Sequence, residues 1–138
     1  MRVVLDANVI IAAFAARGLC QAVFETCLDN HELVLSDPLF REITRNLKRK
    51  LNVPAETISE IERFLESHAT IVDPAVVDAE TCEDKKDLMV LGTALAGRAP
   101  YLVTGDRGLL KVKQYGGFSV LSPRAFWERM RKRPPRAL

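Results

Sequence analysis

Four acidic residues are placed where a chain of alternating strands and helices would bring them together. Asp6 and Asp106 each come after a short apolar run of strand type, Glu42 lies in a helical segment, and Asp87 opens another helix. The carboxyl ends of parallel strands, and the helix starts beside them, face the crevice where open α/β sheets bind ligands. The sequence therefore predicts that these four residues form one acidic cluster.

An acidic cluster of this kind is suited to binding a metal ion. Two carboxylates about 4 Å apart repel each other by roughly 4 kcal/mol at an effective dielectric of about 20. A hard divalent cation offsets this repulsion, and Mg²⁺ prefers oxygen ligands. The cluster thus predicts a metal-dependent enzyme of phosphoryl transfer.

Each acid also has a structural explanation, which the sequence leaves open. A charged residue after a buried strand, such as Asp6, can be solvated or can cap the next helix. Asp87 begins a helix, with Asp84 shortly before it, and the helix dipole favours acids at helix starts. Glutamates on helix faces, such as Glu42, are common. The run Val-Thr-Gly-Asp that ends at Asp106 is more specific, because its glycine lets the backbone approach a ligand closely.

The elements that must position these acids follow from the pattern of apolar residues. Apolar residues at helical spacing, as at Leu39, Ile43 and Leu47, predict amphipathic helices between the strands. Strands that are apolar throughout and alternate with helices indicate a parallel sheet covered on both faces. We predict an α/β fold of three layers, α/β/α, around a parallel sheet of five strands. The predicted strands are residues 3–5, 33–35, 70–72, 101–104 and 118–121.

Polar residues stand where the predicted helices begin. Asn8 can cap the helix after the first strand, and Ser36 and Asp37 can cap the helix after the second. The apolar run Leu88–Ala96 predicts a central, well-covered helix, with Asp87 directly before it.

The length of 138 residues suits a single domain with its own core. We place this domain at residues 1–130 and a basic, flexible tail at residues 131–138. The net charge of +2 hides two basic runs, at residues 45–50 and 129–136. These runs suit a polyanion, and a solvated helix face and a disordered tail explain them equally well.

Several classes of protein are not indicated. The three cysteines, Cys20, Cys27 and Cys82, lack CxxC spacing, so neither a disulfide framework nor a zinc site is predicted. No Gly-rich phosphate loop or nucleophile elbow occurs in the sequence. No secretory signal is recognisable, and the longest apolar run, Val9–Ala16, is too short to span a bilayer. We therefore expect a cytoplasmic protein with no membrane partner.

The order of these residues resembles that of the PIN-domain family, which includes the VapC-type toxin ribonucleases of toxin–antitoxin systems. The matching pieces cover about residues 2–125, nearly the whole chain. Their order and spacing carry the resemblance more than any single piece does. They are Val4–Asn8, Leu35–Ser36 with the helix carrying Glu42-Ile43, Asp84–Asp87 leading into Thr93–Leu95, and Leu102–Asp106.

The resemblance implies roles for the acidic residues. Asp6 and Asp106 would be direct or water-mediated metal ligands, Asp87 would complete the site, and Glu42 would orient a water or a second ion. Further residues would surround the ion or contact the substrate, and these are Asn8, Ser36, Asp84, Thr104 and Arg45.

Three positions depart from the subgroup that this chain most resembles. Lys85 stands where that subgroup usually has proline, and Leu88 where it often has a polar or acidic residue. Gly108 replaces an aspartate commonly found after the Asp106 position. The loss of that acid bears on the strength of metal binding and on any second ion.

The activity that the resemblance implies is cleavage of single-stranded RNA by a Mg²⁺- or Mn²⁺-dependent endoribonuclease. The domain at residues 1–130 would be a PIN-like nuclease domain and the toxin of a toxin–antitoxin pair. Its partner would be a small antitoxin protein, and the chain could also form a homodimer. Arg45, Lys48, Arg49 and the tail would track the phosphate backbone.

Two other functions stay open from the sequence. One is a metal-binding or RNA-binding module without turnover, within an assembly. The four acids argue against it, whereas the missing acid at Gly108 favours it. The other is a receiver-like domain phosphorylated on Asp6. That function would leave Glu42 and Asp106 unexplained.

Overall fold

In the computed structural model, which describes residues 1–132, the chain forms a sheet of six strands with helices around it. The strands are β1 (Arg2–Leu5), β2 (Glu32–Ser36), β3 (Ala69–Val72), β4 (Tyr101–Val103), β5 (Gln114–Tyr115) and β6 (Phe118–Leu121). The helices are α1 (Ala7–Ala15), α2 (Leu19–Asn30), α3 (Asp37–Leu51), α4 (Ala55–His68), α5 (Lys85–Gly97), α6 (Arg107–Leu110) and α7 (Pro123–Lys132).

The sheet confirms the predicted α/β class and corrects the number of strands. Its order is β3-β2-β1-β4-β6-β5, and every pair is parallel except β5–β6. The apolar pattern did not predict β5, an antiparallel edge strand of two residues. Gly116 and Gly117 turn this hairpin with φ angles of 52° and 88°. A strand this short depends on its turn and has no apolar pattern of its own to predict it.

The central strands end together at one edge of the sheet. β1 lies between β2 and β4 and runs parallel to both, so their carboxyl ends are neighbours. Backbone hydrogen bonds continue past the strand ends, from Asp6 N to Val103 O and from Thr104 N to Leu121 O, both at 2.9 Å. Val3, Val4 and Leu5 are fully buried, as expected of a strand covered on both faces. This edge is where the sequence analysis placed its acidic cluster.

Helix α7 extends further than the sequence predicted. Arg131 and Lys132 belong to α7, so the predicted tail begins two residues too early. The rest of that prediction, residues 133–138, lies outside the described residues.

In residues 1–132, no single helix has the length and apolar character to cross a membrane. Only α1 and α2 taken together pass that test, and they are bent by 108°.

Helix α5 packs across four strands of the sheet, β1 to β4. It also packs closely against the backbone at Ala75, in the segment between β3 and α5. Gly92 accepts a hydrogen bond from Ala75 N at 2.9 Å, and a Cβ on Gly92 would collide with the Ala75 carbonyl oxygen. We expect Gly92→Ala to destabilise the protein. Overpacking costs roughly 1–3 kcal/mol, against about 1 kcal/mol gained from helix propensity, and a backbone atom cannot swing away as a side chain can.

Chemical denaturation of Gly92→Ala beside Gly18→Ala measures this effect. A Cβ on Gly18 meets nothing within 4 Å, so this control should be close to neutral. Equal stability of the two variants would contradict the close packing at Gly92.

Candidate metal centre

Asp6 occupies the junction between β1 and α1. Its backbone is extended, with φ −63° and ψ 155°, and it caps α1 by accepting a hydrogen bond from Ala7 N at 2.8 Å on Oδ1. Oδ2 accepts a second hydrogen bond from the Thr104 hydroxyl at 2.8 Å. The side chain is buried, with 6% of the residue exposed. Both carboxylate oxygens of Asp6 are therefore held in fixed directions.

The predicted cap at Asn8 is wrong, because the helix begins one residue after β1. Asn8 lies inside the first turn of α1 and is exposed. Its Oδ1 accepts a hydrogen bond of 3.4 Å from Lys50 Nζ. Asn8 thus connects α1 to the end of α3, beside the acidic edge.

Thr104 and Asp106 form the turn after β4. Asp106 caps α6, since its Oδ2 accepts from Leu109 N at 2.9 Å. Thr104 is fully buried, and its hydroxyl accepts from Asp106 N at 3.0 Å while it donates to Asp6. One hydroxyl therefore joins two of the predicted acids.

Helix α5 begins earlier than the sequence analysis expected. Asp84 is its N-cap and accepts from Lys86 N at 2.9 Å, and Lys85 is the first helical residue. The prediction that Asp87 directly precedes the helix is therefore wrong, and Asp87 lies in the first turn, half-buried. The polar pair Lys85-Lys86 carries no apolar signal, so the helix start is set by the cap.

Glu42 lies in α3, half-buried, and its charge reaches Asp6. The helix is capped by Ser36, whose hydroxyl accepts from Leu39 N at 3.4 Å and shares a hydrogen bond of 2.7 Å with the Thr93 hydroxyl. Arg45, on the same helix, is exposed and lines a cleft with Glu42.

Thr93 was not among the predicted site residues. It is fully buried in α5, and its hydroxyl donates to Met89 O at 2.8 Å besides contacting Ser36. The signal for it was a lone hydroxyl in a helix that is apolar nearly all round. Through Ser36 and Thr93, the helix that carries Glu42 is fixed against the helix that carries Asp87.

The acids influence one another electrostatically. Burial raises the pKa of Asp6, hydrogen bonds from Thr104 and Ala7 lower it, and the charges of Glu42 and Asp106 raise it further. Burial also raises the pKa of Asp87 to about 7, followed by the charges of Asp106, Asp84 and Asp6 and by a hydrogen bond shared with the Asp106 carboxyl. Asp6 thus lies within electrostatic range of Glu42 and Asp106, and Asp87 within range of Asp106, Asp84 and Asp6.

Cys82 lies beside the same cluster, which the sequence analysis did not anticipate. Burial raises the pKa of its thiol, and the charges of Asp87, Asp84 and Asp106 raise it further. The Cys82 thiol donates to Asp84 O at 3.4 Å. At neutral pH this cysteine is a protonated neighbour of the acids, not a thiolate.

Comparison with known proteins identifies the family. Residues 2–108 match the sequence model of the PIN domain. The chain belongs to the PIN-domain family. No curated protein sequence matches it.

Two solved structures share the fold of this PIN domain. One is a chain in the structure of VapBC2 from Rickettsia felis bound to a DNA fragment from its promoter. Its TM-score is 0.60 at 18% identity, over 88% of this chain and 98% of that chain. The other is a chain of VapBC-1 from nontypeable Haemophilus influenzae, with a TM-score of 0.61 at 17% identity, over 90% and 99% of the two chains.

The donor set of this PIN domain fits a hard cation. Asp87 and Asp106 offer carboxylate oxygens, and a Cβ on Gly108 would lie 3.6 Å and 3.1 Å from their Oδ2 atoms. Both oxygens therefore border the space beside this glycine. In the part of the chain that the structure describes, no three Asp, Glu, His or Cys side chains are close enough to enclose an ion by themselves. Because Mg²⁺ usually keeps several waters and takes one or two carboxylates, the residues fit an ion that stays partly hydrated.

Thr104→Val should disturb both the fold and the site. The change removes the hydroxyl that donates to Asp6 and accepts from Asp106 N, and leaves both groups without this partner. Losing such a buried hydrogen bond costs about 1–3 kcal/mol. Thr104→Ser keeps the hydroxyl and is the matched control. Denaturation of both variants checks the prediction, and a serine variant as unstable as the valine variant would contradict it.

The metal-free protein should lose stability as the pH rises. Asp87 has a pKa of about 7 in the folded protein against 3.8 ordinarily, so the folded state binds the proton more tightly. Its contribution is fully present below about pH 4 and is lost as the pH rises to about 7. In chelator, we expect the melting temperature to fall less over this interval for Asp87→Asn than for the parent. Differential scanning fluorimetry across pH measures the difference.

The exposed Asp29→Asn, on α2, is the control for that experiment and should follow the parent. Above pH 7, millimolar Mg²⁺ or Mn²⁺ should raise the melting temperature of the parent more than that of Asp87→Asn, because the ion binds the folded state. Identical pH profiles for the parent and Asp87→Asn would show that this carboxyl is not perturbed by the cluster.

Proposed function

We propose that this PIN domain is a Mg²⁺- or Mn²⁺-dependent endoribonuclease that cleaves single-stranded RNA. The observation that supports it most is the proximity of Asp6, Asp87 and Asp106: the charges of Asp106 and Asp6 raise the pKa of Asp87, and the charge of Asp106 raises the pKa of Asp6. The ion pairs of residues 1–132 are Arg2–Glu32 and Arg124–Glu128, so no described cation neutralises the cluster. A cluster of negative charge without a protein counter-ion is suited to a bound cation.

The residues would divide the work of the reaction. A bound divalent ion supplies Lewis-acid chemistry, polarising a phosphate oxygen and lowering the pKa of a water. Asp87 and Asp106 would hold this ion through the oxygens beside Gly108. Asp6, directed by Ala7 N and Thr104, would hold it directly or through water. Glu42 would orient the attacking water or a second ion from α3.

We further propose that the protein is the toxin of a toxin–antitoxin pair and that its partner is a small antitoxin. The fold shared with chains of the two VapBC structures supports this, at identities of 17% and 18%. Cytoplasmic location and a homodimer stay predictions from the sequence. Co-purification with the product of a neighbouring small gene would test the partner, and growth arrest relieved by that gene would test the pairing.

A module that binds metal or RNA without turnover is the second candidate. Two observations favour it. Gly108 stands where the subgroup that this chain resembles commonly has an aspartate, and the described residues do not bring three ligating side chains together around one point. Incubation of mixed RNA with the purified protein, with Mg²⁺, Mn²⁺ or chelator, separates the two functions. Cleavage that requires the ion supports the nuclease, and binding without cleavage supports the module.

Asp6→Asn and Asp87→Asn should each lower the rate of RNA cleavage far more than Asp84→Asn does. Asparagine keeps the shape of each side chain and removes its charge. Asp84 is exposed and its cap hydrogen bond to Lys86 N can be accepted by asparagine, so this variant should stay active. For the other two we expect losses of at least about 10–100-fold, the range seen when groups supporting a metal site are removed.

A quenched single-stranded RNA substrate, assayed with each ion, measures these rates. Circular dichroism establishes that all three variants are folded. An inactive Asp84→Asn beside an active Asp87→Asn would mean that the wrong acid of α5 has been placed in the site.

A further inference from the structure

The cleft between α3 and α5 opens beside the acidic cluster, and half of its described lining residues are cations. Its volume is about 330 Å³, and its lining includes Arg41, Arg45 and Arg49 from α3 and Lys86 from α5. Glu42 lies among them and is the residue through which this α3–α5 cleft meets the cluster. A ligand in the cleft would therefore extend to the acids.

The cations of the α3–α5 cleft have regular spacing. Arg41, Arg45 and Arg49 recur every four residues, so they occupy successive turns of one helix face and span about 12 Å at 1.5 Å per residue. Lys86 faces them from α5, next in sequence to Asp87. A row of guanidinium groups at repeated intervals matches a ligand with repeated anionic groups.

None of these four cations is paired with a protein carboxylate in residues 1–132. The ion pairs of that range lie elsewhere, at Arg2–Glu32 and Arg124–Glu128. Glu42 is the one acid in the described lining of the cleft. The excess of positive charge concentrates the potential in a concave surface, which attracts an anion.

The other side of the cluster has the opposite charge. There a cavity of about 540 Å³ is bordered by Glu80, Glu83 and Gly108, with Lys111 as the one cation of its described lining. A polyanion meets attraction on the α3 side and repulsion on this side.

We infer that the phosphate backbone of single-stranded RNA binds along the α3–α5 cleft, and that the protein holds the strand on one side of the scissile phosphate only. This inference rests on the proposed nuclease function. RNA is favoured over an acidic protein segment because the four cations of the described lining outnumber its two apolar residues, Pro38 and Met89, and three of these cations repeat along one helix face. The strand beyond the scissile phosphate would leave the protein past the acidic cavity.

Fluorescence anisotropy of a labelled single-stranded RNA, in chelator and over a series of salt concentrations, tests the inference. We expect Arg45→Ala, Arg49→Ala and Lys86→Ala each to weaken binding and to lower the slope of log K against log salt by about 0.7 per lost phosphate contact. Arg63→Ala is the matched control. Arg63 is an exposed cation on α4 whose neighbours include Glu62 and Glu66, and its loss should leave both quantities unchanged.

Variants on the acidic side complete the experiment. Glu80→Gln and Glu83→Gln should retain or tighten binding, since they remove repulsion. Equal binding by the cleft variants and Arg63→Ala would overturn the inference, as would weaker binding by the glutamine variants. Polyglutamate of equal charge that competes as well as RNA would also overturn it, in favour of an acidic protein partner.

The binding assay needs no turnover, so the two proposals can fail separately. RNA bound in the α3–α5 cleft but not cleaved with either ion would refute the nuclease and leave the binding surface. Cleavage that depends on Asp6, with binding unaffected by the cleft variants, would refute the surface and leave the nuclease.

Discussion

Repulsion between carboxylates that the sheet holds together is the constraint on which the rest of the site depends. The parallel pairing of β1 with β4 brings Asp6 and Asp106 to the same edge, whatever their charge. Backbone N–H groups stabilise both, from Ala7 to Asp6 and from Leu109 to Asp106. Asp87 differs, because burial and the charges of Asp106, Asp84 and Asp6 raise its pKa to about 7. A cation would therefore relieve Asp87 most.

The molecule keeps its positive charges near this cluster without using them to neutralise it. Arg41, Arg45, Arg49 and Lys86 line the adjacent cleft, and none of them pairs with the acids among the described residues. Pairing would lower the free energy of the folded protein but would remove the unbalanced charge at both places. Separated, the acids are suited to a cation and the arginines to phosphate. This arrangement exchanges stability for binding, as functional sites commonly do.

The acids that follow strands could be predicted from the sequence, whereas the residues that cap α1 and α5 could not. The runs Val3–Leu5 and Tyr101–Val103 are apolar because both faces of their strands are buried, so the acids after them could be placed from sequence. The sequence could not decide whether Asp6 or Asn8 caps α1, because both residue types cap helices. It is decided by the bond from Asp6 N to Val103 O, which joins distant parts of the chain. The start of α5 at Asp84 was missed for a similar reason, since the lysines after it have no apolar period.

Gly108 keeps open the space that the Asp87 and Asp106 carboxylates border. A Cβ there would approach Asp106 Oδ2 to 3.1 Å, so an aspartate would require this carboxylate to shift by a few tenths of an ångström. With glycine, Asp106 keeps its bond to Leu109 N, and the space beside Asp87 stays open. One side of that space is formed by Asp106, in the turn between β4 and α6. The other side is formed by Asp87, which belongs to a separate element, α5. Metal affinity would depend on how α5 sits against the sheet, and the buried hydrogen bond between Ser36 and Thr93 joins α5 to the end of β2. Residues that support a metal site without binding the ion commonly change metal affinity or activity by about 10–100-fold.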